Sequence, residues 1–143
     1  MSQSSRREGA CACGAVKIVA LCASNSLGAC HCRLCRRWGG GPLLTVSCGT
    51  EVSFTGSEHI GVFDSSDWAQ RGFCQRCGSH LYYRLKPNGH HEIPAGLFDN
   101  SDDLHFEHQV FVDERPPYYQ FVQDTEELTG AECFAKFAAS QQA

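Results

Sequence analysis

The sequence has no long hydrophobic run and no excess of basic residues. No stretch of its 143 residues approaches the roughly 20 apolar residues that a membrane-spanning helix needs. The first fourteen, MSQSSRREGACACG, lack the apolar core of a signal peptide. The formal net charge is -4, and the basic residues are scattered except for Arg33, Arg36 and Arg37, which is not typical of a nucleic-acid-binding surface. We therefore expect a cytoplasmic protein without a membrane or nucleic-acid partner.

Short runs of β-branched and aromatic residues, separated by turn residues, predict a mainly β fold of packed antiparallel sheets with few short helices. The hydrophobic content of 42% and the charged content of 20% are ordinary for a single globular domain. In the first run, Val16, Ile18 and Ala20 fall on one face. Residues 24–28, and the run from 30 to 41, are expected to be turn and loop. The predicted strands are 15–21, 43–48, 52–55, 60–63, 80–85, 91–94 and 109–112, and the predicted helix is 131–139.

Ten cysteines are the one anomaly of composition. Without an export signal, metal binding is favoured over disulfides. Zinc is held by four ligands in a tetrahedron, and a CxC or CxxC turn supplies two thiolates at once. Seven cysteines fall into such elements, in a pattern of two, three and two: Cys11 and Cys13; Cys30, Cys32 and Cys35; Cys74 and Cys77.

The two paired elements, Cys11/Cys13 and Cys74/Cys77, are predicted to share one closed zinc site. A glycine follows each pair, Gly14 and Gly78, and can adopt positive φ so that backbone N–H groups turn toward the sulfurs. Closing the long loop between the pairs would restrict the unfolded chain, so this metal should contribute directly to folding. We interpret the site as structural.

The remaining trio, Cys30, Cys32 and Cys35, offers three thiolates and no obvious fourth ligand. This arrangement is expected where a zinc keeps one position for water or substrate. The trio is therefore the candidate catalytic centre.

Two alternatives stay open for these clusters. Cys22, Cys48 or His31 could complete the trio as a second structural site, although His31 would have to fold back over its own backbone. The CxxC pairs could instead be redox-active, but the alternating strands and helices of a redox fold are absent. Cys22, Cys48 and Cys133 otherwise behave as small buried apolar residues.

The order CxCG, CHCxxCR and FCxxCGS, at residues 11–14, 30–36 and 73–79, resembles the glutathione-dependent formaldehyde-activating enzyme family, which includes centromere protein V. The resemblance continues through residues 95–99 and 110–113 and ends near 115–118, so that it spans roughly residues 9–121. It implies a β-tent fold with two zinc ions per chain, one on Cys11, Cys13, Cys74 and Cys77 and one on Cys30, Cys32 and Cys35. We accordingly predict a flexible tail over 1–8, a zinc-binding domain over 9–125, and a short helix and tail over 126–143.

The resemblance also implies carbon–sulfur lyase activity like that of S-(hydroxymethyl)glutathione synthase, with a small-molecule thiol such as glutathione as partner and formaldehyde as the aldehyde. The positive charge of Arg33, Arg36 or Arg37 would compensate the anionic trio or hold a substrate carboxylate. His31, His80 and Asp113 are equal candidates for a general acid. A non-catalytic zinc-binding interaction module and a thiol or zinc sensor are the alternative functions. The sequence leaves open the actual substrate, the direction of reaction and the oligomeric state.

Overall fold

A computed structural model describes residues 5–141, in which eleven strands form two sheets beside two α-helices. The predicted mainly β fold is confirmed. Within these residues no helix has the length and apolar character needed to cross a membrane. The strands are β1 (Ser5–Ala10), β2 (Lys17–Ala23), β3 (Ser26–Cys30), β4 (Leu43–Gly49), β5 (Val52–Thr55), β6 (Ile60–Asp64), β7 (Ala69–Cys74), β8 (His80–Leu85), β9 (His91–Pro94), β10 (His105–Val110) and β11 (Glu126–Leu128), and the helices are α1 (Arg33–Gly39) and α2 (Gly130–Gln141).

The described chain divides into two compact units, and the first comprises residues 5–26 and 45–105. It contains a three-stranded antiparallel sheet in the order β1-β2-β5 and a run of strands in the order β4-β9-β8-β7-β6. Val16, Ile18 and Ala20 are buried on one face, as their alternation predicts, and Leu81 and Ile93 are fully buried with them. Apolar burial of this kind is the main driving force for folding.

β8 and β9 form a hairpin across the turn at residues 87–89. The two strands pair antiparallel, with Tyr83 opposite Glu92 and Arg84 opposite His91. Gly89 has φ 73° and donates its N–H to the Leu85 carbonyl at 2.8 Å. The turn therefore uses a backbone conformation that glycine adopts without strain.

The second unit comprises residues 27–44 and 106–141. Here β10 lies between β3 and β11, and β11 runs parallel to β10, with Gln109 opposite Glu127. Unlike the first unit, this one has polar residues as its largest fully buried side chains, namely His31 at 0% and Gln109 at 1% exposure. Buried polar groups need hydrogen-bond partners, so His31 and Gln109 must each be paired inside the protein.

Three of the sequence expectations are wrong. Residues 5–8 belong to β1 rather than to a flexible tail, residues 26–30 form β3, and residues 33–39 form α1, where turn and loop were expected. Glycine usually weakens a strand, so Gly28 favoured a loop here. In the structure a Cβ at Gly28 would overlap the His108 imidazole of β10, so only glycine allows that side chain to lie so close to β3.

Several predicted strands have different limits, and two further strands were missed. β2 begins two residues later than predicted, β10 ends at Val110, and β7 and β11 were not anticipated. The predicted C-terminal helix is present as α2. Residues 1–4 lie outside the described part, and the proposed division between residues 125 and 126 stays a prediction.

Candidate metal centres

Four thiols of the first unit converge at the ends of two similar turns. One turn follows β1 and carries Cys11 and Cys13, and the other follows β7 and carries Cys74 and Cys77. Within each turn a glycine N–H bonds the carbonyl of the first cysteine: Gly14 to Cys11 at 3.0 Å, Gly78 to Cys74 at 2.7 Å. The glycines have φ of 80° and 81°, so the positive φ expected of them is confirmed.

The geometry of this four-cysteine cluster fits zinc. Its four sulfurs lie within 4.8 Å of one another. The Cys11 and Cys13 sulfurs are 3.7 Å apart, and those of Cys13 and Cys74 are 3.8 Å apart. A tetrahedron of thiolates about 2.3 Å from zinc has edges of about 3.8 Å. Two of the sulfur pairs therefore already have the separation that zinc requires, and ligation itself stays a prediction.

Donors around the four-cysteine cluster favour thiolates at Cys11 and Cys77. The Val16 N–H donates to the Cys11 sulfur at 3.3 Å. The hydroxyl and then the backbone N–H of Ser79 lower the pKa of Cys77 to about 5. The same hydroxyl accepts the Ala12 N–H at 3.0 Å, which joins the two turns. Such surrounding donors orient metal ligands and tune their basicity.

Replacing Gly78 with alanine should weaken this cluster through backbone strain alone. A Cβ at Gly78 meets nothing within 4 Å, but φ of 81° is the left-handed region. We expect a loss of about 1 kcal/mol in the free energy of unfolding, with faster zinc release, measured by denaturant titration and a chromophoric chelator. Gly96→Ala is the matched control, since its Cβ is equally unobstructed and its φ is ordinary. Equal stability of the two variants would contradict the prediction.

Three thiols of the second unit converge where β3 passes into α1. Cys30 ends β3, Cys32 is the N-cap of α1, and Cys35 is buried in its first turn. Their sulfurs lie within 4.8 Å of one another. The Cys35 N–H donates to the Cys32 sulfur at 3.3 Å, so a thiol performs the capping that Ser or Asp usually performs.

This three-cysteine cluster requires a cation if all its thiols are to ionise. Hydrogen bonds with Cys32 and Cys35, and then burial, raise the pKa of Cys30, and the neighbouring sulfurs also oppose a further negative charge. Zinc is held by such thiolates and removes their protons on binding. The cluster thus supplies three soft ligands on a short stretch of chain.

Comparison with known proteins identifies the family of this chain. Residues 6–114 match the family model of the glutathione-dependent formaldehyde-activating enzyme. The chain belongs to this family. A Schizosaccharomyces pombe protein named as an uncharacterized lyase is 36% identical over 124 residues, which are 85% of this chain and 90% of that protein. A Rhodobacter sphaeroides crystal structure has a similar fold, with a TM-score of 0.56 and 22% identity over 65% of this chain and 88% of that one.

His31 of this formaldehyde-activating family member lies between two thiols of the trio but directs its ring elsewhere. Nδ1 is 2.6 Å from the Tyr119 hydroxyl, and Nε2 is 2.7 Å from Oε1 of Gln109. Burial lowers the pKa of His31, and the Arg115 and Arg36 guanidiniums add to that effect. With both nitrogens engaged, His31 is not arranged as a fourth ligand.

The other alternative ligands and acids have definite places. Cys48 lies in the first unit, where its thiol donates to the Val46 carbonyl at 3.4 Å. The side chain of Cys22 lies outside the described part. Asp113 accepts the Gly130 N–H at the start of α2 at 2.9 Å. His80 lies in the first unit on β8, with a pKa lowered to about 4 by burial and by Arg71.

Of the three clustered arginines, one makes a side-chain hydrogen bond to the backbone and two are exposed to solvent. Arg36 is half-buried and donates from Nε to the His31 carbonyl at 3.0 Å. Arg33 and Arg37 are exposed on α1. The Arg33 backbone N–H donates to the Glu114 carboxylate at 2.9 Å, a contact between residues 81 positions apart that no local sequence pattern indicates.

Proposed function

We propose that this chain is a zinc-dependent carbon–sulfur lyase that makes or breaks the adduct of a small thiol, glutathione in the first instance, with formaldehyde or a related aldehyde. The observation that carries the proposal is the three-thiol cluster. Both nitrogens of His31 are hydrogen-bonded to Tyr119 and Gln109, so His31 does not complete this cluster as a fourth ligand. The family membership and the relative named as a lyase support it. We further propose two zinc ions per chain, one for each cluster, and a cytoplasmic location.

The chemistry divides between the metal and the chain. Zinc held by Cys30, Cys32 and Cys35 would ionise a thiol in the fourth position at neutral pH, giving a nucleophile for a carbonyl carbon. The C–S bond forms, the carbonyl π pair moves to oxygen, and that oxygen takes a proton. Breakdown of the adduct is the reverse, with the C–S electron pair returning to sulfur.

The residues of the chain prepare the trio for this reaction. The Cys35 N–H stabilises negative charge on the Cys32 sulfur through their 3.3 Å hydrogen bond. Arg36 is held by the His31 carbonyl and stays near the cluster. Arg33 and Arg37 are exposed on α1 and present guanidiniums suited to the carboxylates of a peptide-like thiol.

Zinc content and zinc release test the proposal before any aldehyde is chosen. We expect two zinc ions per purified chain, one released to a chromophoric chelator at a rate that excess glutathione changes and one released at a rate that it does not. S-methylglutathione is the matched control, because it keeps both carboxylates but cannot present a thiolate, and it should change neither rate. Two ions of equal inertness under all conditions would favour two structural sites and an interaction module.

A further inference from the structure

His31 is held by hydrogen bonds of both its side chain and its backbone. Its side chain is fully buried, and its backbone is also held. The His31 N–H donates to the Val110 carbonyl at 3.1 Å, and the His31 carbonyl accepts from Nε of Arg36 at 3.0 Å. Since Cys30 and Cys32 flank His31 directly, whatever fixes this residue also fixes the backbone from which both thiols project.

The ring of His31 is fixed in one tautomer by a chain of hydrogen bonds. Arg115 donates to Oε1 of Gln109 at 3.0 Å, and a guanidinium can only donate. The atom that faces Nε2 of His31 is therefore an acceptor, so Nε2 carries the hydrogen. Nδ1 then has a lone pair and accepts the Tyr119 hydroxyl hydrogen. The amide nitrogen of Gln109 donates to the Thr125 hydroxyl at 3.0 Å.

The cost of burying these groups indicates what they do. Burying an imidazole and an amide costs free energy of folding unless every polar atom has a hydrogen-bond partner. Two apolar residues of similar size would fill the same space without that cost. Here the network is paired throughout, and aromatic contacts reinforce it: the Tyr119 ring lies 5.5 Å from the His31 ring at 29°. Directional bonds of this kind restrict geometry in a way that apolar packing does not.

We propose that His31, clamped by Gln109 and Tyr119, is a positioning residue that holds Cys30 and Cys32 in ligand geometry and keeps its own nitrogens out of the metal's coordination. The inference rests on the proposed metal site of the trio. It assigns to Gln109 and Tyr119, which lie 78 and 88 residues from His31, a role in metal affinity rather than in contact with substrate. Groups that orient metal ligands typically change affinity about 10- to 100-fold when removed.

The test compares zinc affinity in variants that remove or keep single bonds of the network. Tyr119→Phe deletes the donor to Nδ1, and Gln109→Leu deletes the acceptor for Nε2. Each should weaken zinc at the trio about 10- to 100-fold and leave the four-cysteine zinc unchanged, as measured on the zinc-loaded protein by competition with chelators of graded strength. Cys32→Ser, which lacks a trio ligand, identifies the signal of each site.

Two matched substitutions separate positioning from general stability. Tyr118→Phe removes the same hydroxyl from an adjacent tyrosine that is 73% exposed, and it should leave both affinities unchanged. Gln109→Glu keeps an acceptor for His31 and Arg115 and should retain most of the trio's affinity. Unchanged trio affinity in folded Tyr119→Phe, or equal weakening of both zincs, would overturn the inference.

Two further results are informative. If Gln109→Leu does not fold, Tyr119→Phe carries the comparison, because its ring and packing are retained. If the wild-type trio binds no zinc, the proposed function fails and the inference fails with it. If the wild-type trio binds zinc and the variants bind it with the same affinity, the inference alone is contradicted.

Discussion

Cys74→Ser is expected to abolish cooperative folding of the chain. Cys74 is fully buried at the end of β7, and its sulfur lies 3.8 Å from that of Cys13. Serine there leaves three thiolates and a buried hydroxyl, a set that binds zinc far less tightly. Structural zinc contributes about 10 to 16 kcal/mol in small zinc domains, and the whole stability of a domain is about 5 to 15 kcal/mol. Thermal unfolding followed by near-UV circular dichroism, with zinc content, provides the measurement.

The control for Cys74→Ser is the same substitution at a cysteine outside both clusters. Cys133 is half-buried on α2, where burial raises the pKa of its thiol. Cys133→Ser should fold, bind two zinc ions and unfold within a few degrees of the wild type. A Cys74→Ser protein that unfolds cooperatively at the wild-type temperature would show that the four-cysteine cluster does not stabilise the fold.

The grouping of the seven thiols was predictable because ligand spacing is a local property. A CxC or CxxC turn can be read without knowing the fold, and a following glycine indicates the backbone conformation of that turn. The pairing of Cys11/Cys13 with Cys74/Cys77 followed from their shared context, and the structure brings those four sulfurs together. Strands β5, β8 and β9 were predicted at their observed limits for a similar reason, since alternation and turn residues bound each one.

Elements in which local propensity conflicts with tertiary packing were not predictable. β3 contains Gly28 because the His108 imidazole occupies the space of a side chain. α1 has only seven residues, and its N-cap is Cys32 rather than a residue of the usual capping types. In the structure α1 ends at Gly40, which has φ 90° and donates its N–H to the Arg36 carbonyl, a common helix C-cap.

The network behind the trio could not be found from spacing at all. Gln109 and Tyr119 reach His31 only through the fold, and neither residue belongs to a motif that names an imidazole partner. The sequence disfavoured His31 as a ligand without excluding it, because a residue between two ligands of a CxC turn would have to fold back over its own backbone. The sequence could not identify the hydrogen-bond partners of the His31 ring, because they reach it only in the tertiary structure.

Cys32→Ser is expected to remove turnover while preserving the fold of the second unit. Serine is a good N-cap, so its hydroxyl should accept the Cys35 N–H that the thiol accepts now, and α1 should persist. The trio then has two thiolates and loses its zinc, and zinc content falls from two ions per chain to one. Since metal assistance is worth several kcal/mol and about 1.4 kcal/mol is tenfold, turnover of the thiol–aldehyde adduct should fall about a thousandfold.

Cys48→Ser is the matched control, because it makes the same change at a buried cysteine whose thiol bonds a backbone carbonyl. That variant should keep two zinc ions and near wild-type turnover. Loss of the second zinc in Cys48→Ser would instead identify Cys48 as a fourth ligand and make the trio a closed structural site. A folded Cys32→Ser protein that retains turnover would contradict catalysis at the trio, because no thiolate-rich open position would remain there to activate the substrate.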